Sequence, residues 1–412
     1  MTINFERLKA NINELAQIGK QEDGGIYRMA FTPKEYEARA WLENQLCQGN
    51  IDCHWDGALN IIGRIADDKN EKQPAILIGS HIDTVPNAGA LDGALGVLVG
   101  LECLTRIKEE KLTTKFPLEL LAFSDEEGRF GGMFGSRAVS GQLNPGILEE
   151  SIDLDGQALV DVLKDLGHDP YQALDASRPN ETVKCYLELH IEQGPVLDVE
   201  DLSVGIVSDI TGLFKWQVQL TGAANHAGTT PMDLRKDAFM GLADFAHEIP
   251  RIIDENGSEA SRLTVGNATL YPGSANTVPG KVEFSIDARD VNPEVLKELK
   301  TACRKTLSAI ARRRGLQFDF TEVSVIEPVA CDDHIQKSIE KQAKKLNQRY
   351  KIMPSGAAHD AQMMAKIAPI GMIFVPSKNG ISHSPHEWTD WHHIEQGANL
   401  MLNTLIELSQ ND

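Results

Sequence analysis

Five short clusters in this 412-residue chain together supply histidine and carboxylate side chains, the types that bind divalent cations. Each cluster lies at or just past the end of a strand-like apolar run. Open α/β sheets bind ligands beyond the carboxyl ends of their strands, so these side chains are predicted to meet at one edge. Three imidazoles and two carboxylates suit Zn²⁺, Mn²⁺ or Co²⁺, and five ligands fit two ions that share a bridging carboxylate. The candidate ligands are His81, Asp92, Glu127, His190 and His383.

Each of these residues also has an ordinary structural explanation when it is taken alone. Asp92 opens a predicted helix and is a favoured N-cap. Asp125-Glu126-Glu127 could be an acidic surface loop in a chain of net charge −20. His81 and Asp83 could be a polar strand end, although side chains two apart on a strand share a face. In a metal site, the Asp83 carboxylate could then accept the second ring N–H of His81.

Apolar runs predict the strands that position these clusters. Continuous apolar segments at 74–80, 118–124 and 371–376 are typical of parallel strands buried on both faces. Between the first two, residues 95–108 have the apolar spacing of a packed helix. These residues therefore predict a β-α-β unit and an α/β domain.

The middle of the chain has a different pattern. Apolar and polar residues alternate strictly in 214–220 and 281–289, which is typical of strands with one wet face. Residues 262–271 and 317–326 are further candidate strands, and residues 234–255 and 293–314 are candidate helices. The order β-α-β-β-α-β predicts a ferredoxin-like α+β insert. We therefore expect a mostly parallel-sheet domain with helices on both faces, formed by 1–212 and 329–412, interrupted by a smaller domain at 213–328.

Nine motifs along almost the whole chain resemble the metal-dependent M20-type peptidases and amidohydrolases. The resemblance is strongest to the branch of N-carbamoyl-L-amino-acid hydrolases, β-ureidopropionases and allantoate amidohydrolases. HIEQG together with NHAGTTPM points to this ureido-hydrolysing branch rather than to general peptidases. The motifs are GSHIDTV (79–85), LDGALG (91–96), FSDEEG (123–128), LHIEQGPVL (189–197), NHAGTTPM (225–232), PGSANTVPG (272–280), DARD (287–290), SGAAHDAQ (355–362) and NGISHSPHE (379–387).

The resemblance implies a role for each candidate metal-site residue. Asp92 would bridge two divalent ions, either Zn²⁺ or Mn²⁺, with Co²⁺ as a further candidate. His81 and His190 would complete one ion site, and Glu127 and His383 the other. Two further carboxylates have implied roles without being ligands: Glu126 matches the general base and Asp83 the carboxylate behind His81.

The resemblance also implies substrate-binding residues, most of them in the insert. His226 would stabilise an oxyanion in the neighbouring subunit of a homodimer, although a loop histidine that caps backbone is the alternative. Arg289 would grip a substrate carboxylate, unless it pairs with Asp287 or Asp290. The remaining implied pocket residues are Asn276, Gln193 and the backbone at Gly356.

These implications predict hydrolysis of the ureido C–N bond in a small N-carbamoyl compound that carries a carboxylate. An N-carbamoyl-L-amino acid is favoured over allantoate. A dipeptidase on the same scaffold is a more distant alternative, and a non-catalytic binding protein is disfavoured because every ligand and the base are present. The stretch 129–134 is shorter than is usual in these enzymes, which affects the expectation for substrate choice but leaves the ligands intact.

Charge and cysteine usage restrict the partners and the compartment. A net charge of −20 disfavours nucleic acid and anionic membranes as partners. The six cysteines form no C-x-x-C motif and are expected to be reduced. The N-terminal 20 residues lack the apolar core of a signal peptide, and no apolar stretch is long enough to span a membrane. We therefore expect a cytoplasmic protein.

Overall fold

The computed structural model describes residues 1–410. The twelve α-helices in this range are α1 (Phe5–Leu15), α2 (Pro33–Gln48), α3 (Ala94–Glu109), α4 (Phe134–Val139), α5 (Pro145–Glu150), α6 (Leu159–Asp165), α7 (Val196–Val199), α8 (Ala238–Asn256), α9 (Pro293–Arg314), α10 (Asp333–Lys345), α11 (Asp360–Met364) and α12 (Trp391–Gln410). Short 3₁₀ helices lie at Pro170–Ala176, Asn180–Thr182, Met232–Leu234 and Lys378–Gly380.

The strands of the same range form two larger sheets and one short ribbon. They are β1 (Asp52–Trp55), β2 (Ile61–Ile65), β3 (Ala75–His81), β4 (Leu118–Phe123), β5 (Val183–Ile191), β6 (Val204–Ile210), β7 (Gly212–Thr221), β8 (Asn225–His226), β9 (Arg262–Thr264), β10 (Ala268–Tyr271), β11 (Thr277–Val278), β12 (Lys281–Asp290), β13 (Gln317–Ile326), β14 (Val329–Ala330), β15 (Tyr350–Ser355) and β16 (Ile370–Val375).

The chain divides into two compact units. The large unit comprises Met1–Ser208, Cys331–Met353 and the chain from His359 onward. The small unit comprises Asp209–Ala330 together with Pro354–Ala358. The predicted insert, 213–328, falls within the small unit, which also takes in five residues from the segment after it.

The sheet of the large unit is parallel at its centre and antiparallel at its flanks. Its order is β1-β2-β4-β3-β5-β16-β6, and β14 and β15 both pair with β6. Strands β4, β3, β5 and β16 run parallel, whereas β2 and β6 are antiparallel to their neighbours. Every residue of β3, β4 and β16 is buried, as their continuous apolar sequences require.

Helices cover both faces of this sheet. Leu187, Leu189 and Ile191 of β5 belong to an apolar cluster that also contains residues of α1, α3 and α12. Alternate residues of a strand point to opposite faces, so Glu188 and His190 point the other way. On that side α11 packs against β3, β5 and β16. The predicted α/β fold is confirmed.

The small unit is built on an antiparallel sheet with one covered face. The sheet order is β10-β12-β7-β13, and the chain order β7-α8-β10-β12-α9-β13 is that of a ferredoxin-like fold, as predicted. Phe214, Trp216, Phe284 and Ile286 alternate along β7 and β12 and are buried with residues of α8 and α9 in one apolar cluster. The intervening polar residues of these strands point away from that cluster.

Capping residues determine where the two helices of the small unit begin. The Asn292 side chain accepts the backbone N–H groups of Glu294 and Val295, so α9 begins at Pro293, as predicted. The Asp237 side chain does the same for Phe239 and Met240, so α8 begins four residues later than predicted. No helix among residues 1–410 is long and apolar enough to cross a membrane.

Candidate metal centre

The five predicted ligands lie together in the large unit because the parallel strands end at one edge of the sheet. His81 is the last residue of β3, and His190 is the penultimate residue of the neighbouring β5. Asp92 lies just before α3, and Glu127 lies in the loop after β4. His383 follows β16, the other neighbour of β5.

These ligands form two groups that share Asp92. One group is His81, Asp92 and His190, and the other is Asp92, Glu127 and His383; in each, the ligand atoms lie within 4.8 Å of one another. Oδ1 of Asp92 lies 3.2 Å from Nε2 of His190 and 3.8 Å from Nε2 of His81. Oδ2 of Asp92 lies 3.4 Å from Nε2 of His383. One carboxylate therefore presents a different oxygen to each group.

Hydrogen bonds fix the orientation of the two buried imidazoles. Nδ1 of His81 lies 3.0 Å from the backbone carbonyl of Asp83, and Nδ1 of His190 lies 2.9 Å from the carbonyl of Ile191. A carbonyl can only accept, so Nδ1 of each ring donates and Nε2 is left as the nitrogen that can bind a metal. Both Nε2 atoms face Asp92, which is the placement that metal ligation through Nε2 requires.

Gly93 makes room for this arrangement. Its φ of +62° lies in the left-handed region, which residues with a Cβ rarely adopt. A Cβ at this position would also overlap the ring of His81 at Nε2 and Cε1. Gly93 rather than Asp92 is the N-cap of α3, and no side chain caps this helix. The N-cap alternative for Asp92 is therefore wrong.

Buried negative charge around Asp92 favours cation binding. Burial alone would raise the pKa of Asp92, but hydrogen bonds from His190 and His383 outweigh it and hold this pKa well below its usual range. Burial would lower the pKa of His190, but the hydrogen bond to Asp92 raises it to about 9. Asp92 is thus held ionised among imidazoles, as a metal ligand must be.

The neighbouring carboxyls have no such compensation. Burial, together with repulsion from Glu127 and Asp360, raises the pKa of Glu126 well above its usual range. Burial and repulsion from Asp92 do the same for Glu127. Oε1 of Glu127 is also buried without a hydrogen-bond partner among the described residues. Divalent cations would relieve both the repulsion and the unpaired oxygen, so the donor set fits them.

Asp83 holds the loop that carries Glu126 and Glu127. Its Oδ1 accepts the backbone N–H of Glu126 at 3.3 Å, and its Oδ2 accepts that of Glu127 at 3.1 Å. The ring N–H of His81 donates to the Asp83 backbone carbonyl, and the carboxylate Oδ1 lies farther away, at 3.7 Å. The sequence-based expectation that this carboxylate accepts the ring N–H is therefore corrected: the carbonyl is the main acceptor.

Glu126 lies beside the ligands without belonging to either group that contains Asp92. Its Oε2 lies 3.4 Å from Nε2 of His81, and 9% of its side chain is exposed. Gln193, another predicted pocket residue, has a positive φ and donates from Nε2 to Oδ2 of Asp92 at 2.8 Å. Oε1 of Gln193 is buried and has no partner in the described chain. Both side chains therefore border the candidate ion sites.

His226 and Asn276 of the small unit lie close together on the ribbon of β8 and β11. His226 pairs with Thr277, and the carbonyl of Asn276 accepts the N–H of Ala227. Nδ1 of His226 accepts the N–H groups of Gly228 and Thr229 at 3.1 and 3.2 Å. The neutral ring therefore carries its proton on Nε2, so the exposed His226 both caps backbone and retains a free N–H donor.

Arg289 makes the ion pair that the sequence left as an alternative. Its Nε donates to Oδ1 of Asp287 at 2.8 Å, and its Nη2 donates to Oδ2 at 3.2 Å. Its Nη1 donates to the carbonyl of Gly356 at 2.8 Å. Gly356 has open space where a Cβ would be. The Arg289 side chain is 31% exposed, so a substrate carboxylate can still approach the guanidinium.

Several buried polar residues next to the ligands were not predicted from the sequence. The ring of His359 lies 4.6 Å from that of His190, and Glu188 accepts hydrogen bonds from Ser80 and Tyr186. Asp360 and Glu387 are also buried. Glu188 could have been found from the sequence because it lies two residues before His190 on β5. His359 and Asp360 lie within the motif at 355–362, and Glu387 ends the motif at 379–387, but the sequence indicated no role for them.

One carboxylate is shared by two imidazole-containing groups of potential ligands, and a second carboxylate lies beside them, at the edge of an open α/β sheet. This arrangement is typical of a metal-dependent hydrolase. The sequence model of peptidase family M20/M25/M40 matches residues 77–407. The chain belongs to this family, which is metal-dependent, and the predicted resemblance is confirmed.

Relatives match over almost their whole length. The N-carbamoyl-L-amino acid amidohydrolase of Geobacillus stearothermophilus is 39% identical, with 100% of both chains covered. The allantoate amidohydrolase of Bacillus subtilis is 34% identical over 97% of this chain and 96% of its own. A crystal structure of a hydantoinase/carbamoylase-family amidase from Burkholderia multivorans superposes with a TM-score of 0.90 at 31% identity, covering 100% of this chain and 99% of that one.

Proposed function

We propose that the protein is a dinuclear metal-dependent amidohydrolase that cleaves the ureido C–N bond of a small N-carbamoyl compound. The observation that carries this proposal is the pair of ligand groups that share Asp92, with Glu126 beside them. With one water molecule, the reaction would convert the ureido group into an amine, CO₂ and ammonia. An N-carbamoyl-L-amino acid is the favoured substrate class.

The relatives support this order of substrates. N-carbamoyl-L-amino-acid amidohydrolases match at 39% and 35% identity, and the allantoate amidohydrolase of Bacillus subtilis matches at 34%. Allantoate is therefore the second candidate substrate. An aminopeptidase structure from Bacillus cereus superposes with a TM-score of 0.70 at 17% identity, a likeness of fold alone. Dipeptide cleavage remains the more distant alternative.

We assign the two ions to the two ligand groups, with Zn²⁺ or Mn²⁺ favoured and Co²⁺ as a further candidate. His81 and His190 would hold one ion, Glu127 and His383 the other, and Asp92 would bind both through its two oxygens. Divalent cations supply Lewis acidity, which polarises a carbonyl oxygen and lowers the pKa of water.

Glu126 is proposed as the general base. Its Oε2 lies 3.4 Å from Nε2 of His81, beside the proposed ligands, and would accept a proton from an attacking water. The same oxygen would then return the proton to the leaving nitrogen. Asp83 supports this role by binding the backbone N–H groups of Glu126 and its neighbour, which fixes the turn that presents the base.

His226 is proposed to stabilise the oxyanion of the tetrahedral intermediate. Because its Nδ1 accepts two backbone N–H groups, its Nε2–H is available as a donor. We propose that it acts in the active site of the neighbouring subunit of a homodimer. Residues 213–328 would then form a dimerisation and lid domain, and residues 1–212 with 329–412 the catalytic domain.

The substrate carboxylate is assigned to Arg289, whose planar guanidinium can bind it with two hydrogen bonds. Asn276, Gln193 and the backbone at Gly356 would complete the pocket. The buried Oε1 of Gln193, without a partner among residues 1–410, is an acceptor suited to an N–H group of the ureido moiety.

Ammonia release tests the proposal. Purified protein loaded with Mn²⁺ or Zn²⁺ would be assayed with several N-carbamoyl-L-amino acids, β-ureidopropionate and allantoate, with and without a chelator, and dipeptide cleavage would be measured in parallel. We expect chelator-sensitive ammonia release from an N-carbamoyl-L-amino acid. Dipeptide cleavage without any ureido turnover would move the protein to the peptidase branch.

A further inference from the structure

We infer that Glu387 is a positioning residue that holds the loop carrying Asp92 and the loop carrying His383 in one fixed arrangement. The inference rests on the proposed function, because it concerns the same metal centre. Glu387 belongs to neither of the two ligand groups that share Asp92. It would therefore act on the ions only through the residues that it holds.

The first half of this arrangement is a pair of backbone hydrogen bonds. Oε1 of Glu387 accepts the N–H of Leu91 at 3.0 Å and the N–H of Asp92 at 3.1 Å. Glu387 is 4% exposed and Leu91 is fully buried. A charged acceptor shared by two buried N–H groups makes strong hydrogen bonds, so it fixes the backbone from which the Asp92 carboxylate projects.

The second half of this arrangement is a pair of contacts made by Ser382. Its hydroxyl lies 2.8 Å from Oδ2 of Asp92 and 3.1 Å from Oε2 of Glu387. A hydroxyl has one proton, so it donates to one carboxylate at a time, and the shorter distance is to Asp92. Ser382 directly precedes His383, so this contact ties the His383 loop to the oxygen of Asp92 that faces Nε2 of His383.

Close packing leaves Glu387 little freedom to move. A Cβ on Gly89 would overlap both Cβ and Oε1 of Glu387, so this carboxylate lies directly against the loop that leads to Asp92. Its two oxygens face different elements: Oε1 faces the backbone before α3, and Oε2 faces Ser382. The negative charge of this carboxylate strengthens the hydrogen bonds on both sides.

Glu387→Gln tests the need for the negative charge of Glu387 with the smallest change of shape. The oxygen of the amide can still accept the two backbone N–H groups while its NH₂ donates to the hydroxyl of Ser382, so this variant removes only the negative charge that strengthens these contacts. We expect the affinity for Zn²⁺ or Mn²⁺ to fall about 10–100-fold, as when residues that orient metal ligands are changed. The visible absorption spectrum of the Co²⁺-loaded protein should also change, because the ligand geometry changes.

The experiment uses the full chain after chelator treatment. Zn²⁺ or Mn²⁺ affinity is measured by competition with a chromophoric chelator, and thermal unfolding of the metal-free protein is followed by circular dichroism. Asp332→Asn is the matched control, since the Asp332 carboxylate also accepts two backbone N–H groups, those of His334 and Ile335. This control should bind metal like the wild type.

Weaker metal binding by Glu387→Gln, at a metal-free Tm close to that of the control, would support the inference. Wild-type affinity and an unchanged Co²⁺ spectrum would overturn it. If Glu387→Gln does not fold, Ser382→Ala decides in the same assay, because it removes the hydroxyl between the two carboxylates and leaves the packing of Glu387 intact. Unchanged metal affinity in Ser382→Ala would then overturn the inference.

The outcome is separate from that of the proposed function. If the wild type binds metal more tightly than Glu387→Gln but neither releases ammonia from any ureido compound, the proposed function fails and the positioning role stands. If both bind metal equally and both hydrolyse a ureido compound, the positioning role fails and the proposed function stands.

Discussion

The large and small units place their candidate functional residues in opposite environments. In the large unit, His81, Asp92 and His190 are each at most 4% exposed, and hydrogen bonds fix both imidazoles. In the small unit, His226 and Asn276 are exposed on a two-stranded ribbon. The first set is held in place by hydrogen bonds within the protein, whereas the second presents its donor to solvent.

This difference follows from what each set is proposed to do. Metal ligands must converge within a few tenths of an ångström, so they are held by a sheet buried on both faces and by hydrogen bonds from their neighbours. A residue that acts on a substrate in another subunit must project outward instead. Changes in the large unit should therefore alter metal binding or chemistry, and changes on the small unit should alter turnover or substrate affinity while metal binding is retained.

The largest loss of activity is expected from a change in the large unit that leaves metal binding intact. Glu126→Gln should lower kcat about 10³-fold or more, because the proton acceptor is lost, while metal content stays near that of the wild type. The same change one residue later, Glu127→Gln, should lower the metal content, since Glu127 is proposed as a ligand. Metal analysis and steady-state kinetics check both variants. Wild-type turnover in Glu126→Gln would remove the assignment of the base.

A change on the small unit should leave the metal content untouched. His226→Ala should lower kcat about 10²–10³-fold, because one oxyanion donor is lost. The exposed His247 on α8 offers a matched control, and His247→Ala should retain activity. Normal turnover in His226→Ala would contradict the proposed role.

Mixing inactive protomers tests whether His226 acts across a dimer. A heterodimer of Glu126→Gln and His226→Ala protomers contains one site with both an intact base and an intact histidine, provided that His226 reaches the partner. We expect partial recovery of ammonia release after the two variants are mixed and allowed to exchange. Heterodimers shown to form but without activity would place His226 in its own subunit.

Arg289→Ala should mainly weaken substrate binding. A charge-assisted contact of this kind contributes about 1.5–3 kcal/mol, so KM should rise roughly 10–150-fold with a smaller change in kcat. Lys215→Ala is the control, because Lys215 also lies near Asp287, at 3.8 Å, and is not assigned to the pocket. An unchanged KM for every acidic substrate would leave Arg289 as the structural partner of Asp287 alone.

The smallest effect is expected on the free energy of unfolding, from an ion-pair cluster in the small unit. Arg313 and Arg314 at the end of α9 both bind Asp244 of α8, and the hydrogen bond from Arg314 is the main reason that the pKa of Asp244 is lowered. A lowered folded-state pKa stabilises the protein above the unfolded value of about 3.9, and this contribution is lost as the pH falls through the folded value. Asp244→Asn should lower the free energy of unfolding by less than about 1 kcal/mol at pH 7, with a smaller effect as the pH falls through the folded-state pKa and no change in metal content.

The sequence predicted most of the fold because the periodicity of apolar residues directly reflects burial. The bounds of α9 and β13 agree with the prediction, and the buried strands shift by a residue. The candidate strand at 262–271 is instead two strands, β9 and β10, because the register with β12 shifts between them: Thr264 pairs with Asp287, whereas Ala268 pairs with Phe284. Local pattern cannot show such a break, since it depends on the partner strand.

The candidate site was predicted less completely than the fold. Residue types and their positions after strands indicated the five ligands, which the structure brings together. Residue type and position did not indicate a role for Glu387, because its hydrogen-bond partner Asp92 lies 295 residues earlier in the chain. The predicted acceptor of the His81 ring N–H was corrected from the carboxylate of Asp83 to its carbonyl, because the two differ by less than an ångström in their distance from the ring. The partner of Arg289 was left open between two neighbouring carboxylates.

The amino-acid sequence alone therefore determined the chemistry that is available: imidazoles and carboxylates after strands, a ferredoxin-like insert, and motifs of a metal-dependent hydrolase family. These features are local, since they depend on residue type and on the period of apolar residues. Only the tertiary structure decided which oxygen of Asp92 faces which group, that Gly93 must lack a side chain beside His81, and that Glu387 joins two distant loops. Those features depend on contacts between segments far apart in the chain, which no local pattern encodes.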